Sequence, residues 1–126
     1  MSKVTRSVLI VDDEKATAWA LAESLREEGF EIRTAHSAAE AVAAHAVHPA
    51  DLVITDIRLP DENGFALLAR LGAGAERPRA IVVSAWGGPE IAASVRRSGA
   101  LAYVQKPFDV DRVKQLVAGA FALESR

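Results

Sequence analysis

Four short apolar runs constrain most of what this chain can fold into. Val8-Leu9-Ile10-Val11 stops on Asp12 and Asp13, and Leu52-Val53-Ile54-Thr55 stops on Asp56. Ala80-Ile81-Val82-Val83 stops on Ser84, and the weaker run Tyr103-Val104-Gln105 stops on Lys106. The runs are continuous rather than alternating, and the first three are rich in Val and Ile. Strands buried on both faces have this pattern, which is typical of parallel sheets. If all four lie parallel in one sheet, their polar ends converge on one edge, with Asp56 at its centre.

The stretches between the runs have helical character. The first spans roughly Glu14 to Glu28 and is closed by Gly29, a residue suited to a left-handed helix stop. Thr17, Ala20, Leu21, Ser24 and Leu25 share its expected inner face, and Glu23, Arg26 and Glu27 face water. Glu31 to Ala35 alternates, with Ile32 in and Arg33 out, as an edge strand does. Ser37-Ala38-Ala39-Glu40 is a capping-box sequence opening an Ala-rich helix that Pro49 ends. A third helix is expected from Gly64 to Leu71, followed by a loop from Gly72 to Arg79. Pro89 suits the first turn of a fourth helix ending at Gly99. Asp109 suits the cap of a fifth, with Val110, Val113, Val117 and Phe121 inward.

Strand and helix thus alternate five times, which implies right-handed crossovers and a parallel sheet covered by helices on both faces. Ligands of such folds bind outside the carboxyl ends of the strands. The chain has 126 residues, one domain's worth, with no linker or repeat. A net charge of -2 gives no sign of a nucleic-acid or anionic-membrane surface. The absence of cysteine excludes disulfides and thiolate metal sites. The first apolar run is too short for a signal-peptide core or a membrane span, so the expected location is cytoplasmic.

Three carboxylates at one sheet edge repel one another, and a hard divalent cation removes that penalty. Mg²⁺ prefers one or two carboxylates, waters and phosphate oxygens. Capping the first helix needs only one aspartate, so adjacent Asp12 and Asp13 point to metal. A carboxylate beside a cation is a competent nucleophile towards phosphorus. Lys106 offers a point charge to a phosphoryl oxygen and Ser84 a hydrogen bond. Singly, each has a plainer role: Asp56 in a turn, Ser84 as a helix cap, Lys106 in solvent. Together they point to phosphoryl chemistry.

The chain resembles a response regulator receiver domain over nearly its whole length, 1–126 being read as one such domain. The carrying motifs are Leu9-Ile10-Val11-Asp12-Asp13-Glu14, Asp56-Ile57-Arg58-Leu59-Pro60-Asp61-Glu62-Asn63-Gly64, Ser84-Ala85 and Lys106-Pro107-Phe108. The resemblance implies a flavodoxin-like (βα)5 doubly wound parallel five-stranded sheet of order 2-1-3-4-5. It implies that Asp56 accepts a phosphoryl group from a histidine kinase or phosphotransfer protein. Asp13, Asp56 and the backbone carbonyl of Arg58 would hold Mg²⁺, with Asp12 acting mainly through water. Lys106 would pair with the phosphoryl group, Ser84 would hydrogen-bond it, and Lys106–Pro107 would be cis. Ser84 and Tyr103 would form the switch. Such a protein is not an enzyme towards external substrates; it catalyses only its own phosphorylation and dephosphorylation.

Other features sharpen that expectation. Arg58 and Trp86 lie two residues beyond Asp56 and Ser84, where bulky groups would restrict water and slow hydrolysis of the acyl phosphate. Leu101, Ala102 and Tyr103 make the region around the fourth helix and fifth strand apolar, as for a homodimer or partner surface including the fifth helix. Trp19 falls off the core face of the first helix, the element on which receivers usually dock their kinase. His36, His45 and His48 are expected at the surface; the last two, three apart, are a weak metal pair. A haloacid-dehalogenase-type phosphatase would need an aspartate where Arg58 stands. A phosphate-independent relative usually lacks one of the acidic pair, acceptor or lysine. A flavodoxin would need a hydroxyl- and Gly-rich loop after the first strand. The chain is either a stand-alone receiver or a domain excised from a longer transcriptional regulator.

Overall fold

The computed structural model describes residues 5–72 and 78–124, with side chains to residue 122. The strands are β1 (Ser7–Val11), β2 (Glu31–Ala35), β3 (Leu52–Asp56), β4 (Arg79–Ser84) and β5 (Ala102–Gln105). The helices are α1 (Lys15–Glu27), α2 (Ala38–Val47), α3 (Gly64–Gly72), α4 (Pro89–Ser98) and α5 (Val110–Glu124). All strand pairs are parallel, in the order β2-β1-β3-β4-β5. This is the expected doubly wound, flavodoxin-like arrangement. Most of the loop expected from Gly72 to Arg79 lies outside the described residues.

The continuous apolar runs are explained by two cores, one on each face of the sheet. Val8, Ile10, Ile54, Ile81 and Val83 point to one face and pack with Leu21 and Leu25 of α1 and Val113, Val117 and Phe121 of α5. Leu9, Val11 and Val53 point to the other and pack with Ala38 and Ala41 of α2 and Leu67 and Leu71 of α3. Val82 joins Ile57 and Val95 in a third cluster, under α4. Each fully buried Leu, Ile or Val side chain contributes about 1.5–3 kcal/mol, so β1, β3 and β4 form a rigid base for the residues that follow them.

One local expectation needs correction and another gains detail. The buried stripe of α1 is Ala18, Leu21, Ala22 and Leu25, while Thr17, Ala20 and Ser24 are only half-buried. Small residues line both sides of Leu21 and Leu25, so polarity alone did not locate the seam. In β2, Ile32 and Ala35 are buried and Arg33 points out, but not idly. Its guanidinium donates to Ala44 O at 2.7 Å and to His48 O, covering the last carbonyls of α2. The left-handed Gly29 and Gly99 follow α1 and α4 as expected, with φ 95° and 77°.

Candidate functional site

Register sets the level of each functional group. Val11 lies beside Thr55 and Asp56 beside Val83, so Asp12 follows β1 at the level of Asp56. Ser84 lies beside Gln105, and Lys106 N–H donates to Ser84 O at 2.7 Å. The Asp56 backbone is tightly held. Thr55 Oγ1 donates to Asp56 O at 2.9 Å, and the chain returns so closely that a Cβ on Gly64 would lie 2.2 Å from that oxygen. Only glycine permits this approach. Arg58 N–H donates to Asp56 Oδ1 at 3.2 Å, which orients the carboxylate.

Lys106 joins the site across the sheet. Its Nζ lies 2.9 Å from Asp12 Oδ2, 2.9 Å from Asp56 Oδ2 and 3.4 Å from Glu14 Oε1. Burial opposes the ammonium, but the hydrogen bonds and charges of Asp12 and Asp56 outweigh it and hold Lys106 above the ordinary lysine range. Burial also pushes the Asp12 carboxyl up, against the downward pull of Lys106 and of the Glu14 N–H. The two partners differ because Asp12 is the more deeply desolvated, 4% exposed in its side chain against 16% for Lys106. Thr17 Oγ1 donates to Glu14 at 2.7 Å, and with Lys106 it holds that exposed carboxyl below its usual range. Asp12 Oδ1 accepts the Glu14 N–H at 2.9 Å, so this residue also shapes the entry to α1.

The hydroxyl side of the site is organised around Trp86. Ser84, fully buried, accepts the Trp86 N–H on Oγ at 2.9 Å. Tyr103 Oη donates to the Trp86 carbonyl. The Arg58 guanidinium sits 4.5 Å from the centroid of the Trp86 ring, a cation–π contact at the rim. Arg58 and Trp86 are therefore both exposed and engaged with each other. An open pocket of about 1010 Å³ runs from these residues past Asp56 and Lys106 to an apolar flank of Ala16, Ala20, Pro107 and Phe108. The Lys106–Pro107 peptide is cis, as expected.

One oxygen each from Asp12, Asp13 and Asp56 lies within 4.8 Å of the others. An all-oxygen, acidic donor set of this size fits a hard divalent cation such as Mg²⁺. Its positive charge would offset the burial cost that raises the Asp12 carboxyl. The histidine pair does not compete for metal. His45 Nδ1 accepts the Ala50 N–H at 3.0 Å, and His48 Nε2 lies 3.3 Å from Glu31.

The sequence brought Asp12, Asp13, Asp56, Ser84 and Lys106 to this edge, and the structure gathers them there. It did not anticipate Glu14 as a third carboxylate on Lys106. Nor did it show that Asp61, a member of the motif after Asp56, accepts the N–H groups of Ala38 and Ala39, both at 2.9 Å. The separation of 23 residues between Asp61 and Ala38 leaves no local signal.

Comparison with known proteins agrees with this geometry. PdtaR, a transcriptional regulatory protein of Mycobacterium tuberculosis, is 37% identical over 108 residues, 85% of this chain and 52% of its own length. The chain spans between 24% and 52% of the length of the first curated relatives it matches. A CheY-like response regulator receiver domain protein from Methanospirillum hungatei JF-1 superposes with a TM-score of 0.89 at 26% identity, covering 97% of this chain and 98% of that one. A chain of the CheX-CheY-BeF3-Mg²⁺ complex from Borrelia burgdorferi superposes with a TM-score of 0.84 at 33% identity, covering 92% and 89%. The family model for the response regulator receiver domain matches residues 8–118, spanning the acidic pair, Asp56, Ser84 and Lys106. This chain belongs to the response regulator receiver domain family.

Proposed function

We propose that Asp56 is the phosphoacceptor of a two-component signalling module. The observation that carries this reading is the convergence of Asp12 and Asp56 on one ammonium, each 2.9 Å from Lys106 Nζ. Asp56 Oδ2 attacks the phosphorus of a phosphohistidine on a histidine kinase or phosphotransfer protein. The P–N bond breaks, the imidazole nitrogen takes up a proton, and an acyl phosphate forms on Asp56. Phosphoryl transfer asks the protein chiefly for alignment and charge neutralisation. Lys106 supplies a positive charge to the phosphoryl oxygens, and the Ser84 hydroxyl turns its proton towards one of them.

Asp12, Asp13, Asp56 and the Arg58 carbonyl would hold Mg²⁺. When bound, it supplies the positive charge that offsets the clustered carboxylates and phosphoryl oxygens. The Borrelia relative, seen with BeF3 and Mg²⁺, supports this choice of ion. The apolar flank along α1 suits docking of the phosphohistidine-bearing partner, beside exposed Trp19. The switch runs through Ser84 and Tyr103, which bond the backbone N–H and the carbonyl of Trp86 respectively. Output passes through the face of α4, β5 and α5, where Leu101 is exposed. That face serves a homodimer, a downstream protein or an attached output domain.

Residues 1–126 act as one receiver unit in the cytoplasm, with no direct nucleic-acid or membrane binding by this chain. No helix among the described residues is long and apolar enough to cross a membrane. The module is not an enzyme towards external substrates: Arg58 stands where an aspartyl-phosphate phosphatase carries its acid/base. Adding beryllium fluoride with Mg²⁺ is expected to change tryptophan fluorescence, because Trp86 lines the pocket. Asp56→Asn is expected to abolish the response; a silent parent protein, or a response that survives Asp56→Asn, rejects the assignment.

A further inference from the structure

The loop 57–63 between β3 and α3 is closed on itself and on α3. Leu59 N–H donates to Glu62 O at 3.2 Å, and Gly64 N–H to Ile57 O at 2.7 Å. Asn63 Oδ1 accepts the Ala66 N–H at 2.8 Å and starts α3. Glu62 pairs with Arg70 of the same helix at 2.6 Å. Asp61 does something different: it reaches back to α2. Its Oδ1 accepts the Ala38 N–H and its Oδ2 the Ala39 N–H. Ser37 Oγ takes the next donor, Glu40 N–H, at 3.1 Å. Together Asp61 and Ser37 satisfy the first-turn donors that a helix start leaves open. The two N–H groups hold the Asp61 carboxyl below the usual carboxylate range.

The same loop ends at Asp56. Arg58 N–H holds Asp56 Oδ1, which leaves Oδ2 facing Lys106 at 2.9 Å. We infer that Asp61 is a positioning residue for the Asp56 carboxylate. By tying the loop to the start of α2, it keeps the Arg58 N–H on Oδ1 and presents Oδ2 to Lys106 and the acidic pocket. This rests on the reading of Asp56 as phosphoacceptor. The competing explanation is that Asp61 only caps α2.

Ser37 separates the two, because its side chain caps the same helix end through its own bond to the Glu40 N–H. The full chain at fixed Mg²⁺ is titrated with beryllium fluoride, read by tryptophan fluorescence, beside a thermal melt. Asp61→Ala is expected to raise the half-saturating concentration about tenfold, the scale of losing an outer-shell partner. Asp61→Asn keeps one acceptor oxygen and is expected to recover part of the loss. Ser37→Ala is expected to lower the melting temperature and leave the half-saturation unchanged. The inference is overturned if Asp61→Ala binds as the parent does, or if Ser37→Ala weakens binding equally. Should Asp61→Ala fail to fold, Asp61→Asn decides: weaker binding than Ser37→Ala supports positioning, and equal binding overturns it. A parent that does not respond rejects the phosphoacceptor reading itself, and with it this inference.

Discussion

The two flanks of Asp56 are held by different physics. On the acid flank, Lys106 joins β5 to the ends of β1 and β3 through two ion-paired hydrogen bonds of 2.9 Å to buried carboxylates. On the hydroxyl flank, Ser84, Trp86 and Tyr103 meet through neutral hydrogen bonds, and Arg58 lies on an exposed ring. Buried charge pairs are costly to break from one side. Neutral and rim contacts are worth about 1 kcal/mol each. The charged contacts therefore cost more to break than the neutral ones. If Asp56 is the phosphoacceptor, the first flank would fix the added charge and the second would rearrange at small cost.

The sharpest way to break this contrast is Lys106→Ala. It leaves the Asp12 and Asp56 carboxylates buried without their shared cation. The expected loss is about 3 kcal/mol at neutral pH, measured by urea unfolding in metal-free buffer. Mg²⁺ is expected to restore part of it by supplying charge to the same carboxylates. Acid is expected to shrink the loss as well. Burial already raises the Asp12 carboxyl, and without Lys106 the folded state binds still more protons than the unfolded chain. Stability of the variant therefore falls as pH rises through the carboxylate range. A loss under about 1 kcal/mol would place the acid flank with ordinary surface pairs.

Trp86→Ala tests the other flank. The ring is half-exposed, so stability should change little. The Arg58–Trp86 contact sits at the pocket rim, where it would screen the acyl phosphate from water. Losing a screen worth about 1 kcal/mol would speed dephosphorylation about fivefold. The decay of phosphorylated protein after removal of the phosphodonor reports this directly, and an unchanged rate removes the screening role.

The sequence was legible in the same uneven way. The strands could be read because β1, β3 and β4 are buried on both faces and leave unbroken apolar runs. Their polar terminators then stood out, and register carried Asp12, Asp56, Ser84 and Lys106 to one edge. The seam of α1 was harder, since Ala18 and Ala22 differ little in polarity from Ala20 and Ser24. The contacts around Trp86 were not legible. They depend on rotamers and on strands that meet only after folding. Glu14 directly follows the acidic pair, but its reach to Lys106 spans 92 residues. Local pattern therefore showed the charged flank far better than the hydroxyl one.

The smallest effect is the most specific test of the hydroxyl flank. Tyr103→Phe removes only the hydroxyl that donates to the Trp86 carbonyl, and the half-buried ring stays packed on the cluster of Ile57, Val82 and Val95. The cost should be about 0.5–1 kcal/mol, because the carbonyl regains water at the exposed rim. Mg²⁺ affinity should not move, since the Tyr103 hydroxyl is bonded to the Trp86 carbonyl and the candidate metal cluster is Asp12, Asp13 and Asp56. What should change is the response of the α4–β5–α5 face to beryllium fluoride, read from backbone amide shifts of residues 98–105. If those shifts match the parent while the stability loss appears, the Tyr103–Trp86 bond is structural and the switch lies elsewhere. If they shrink with metal affinity intact, the hydroxyl flank transmits what the acid flank stores.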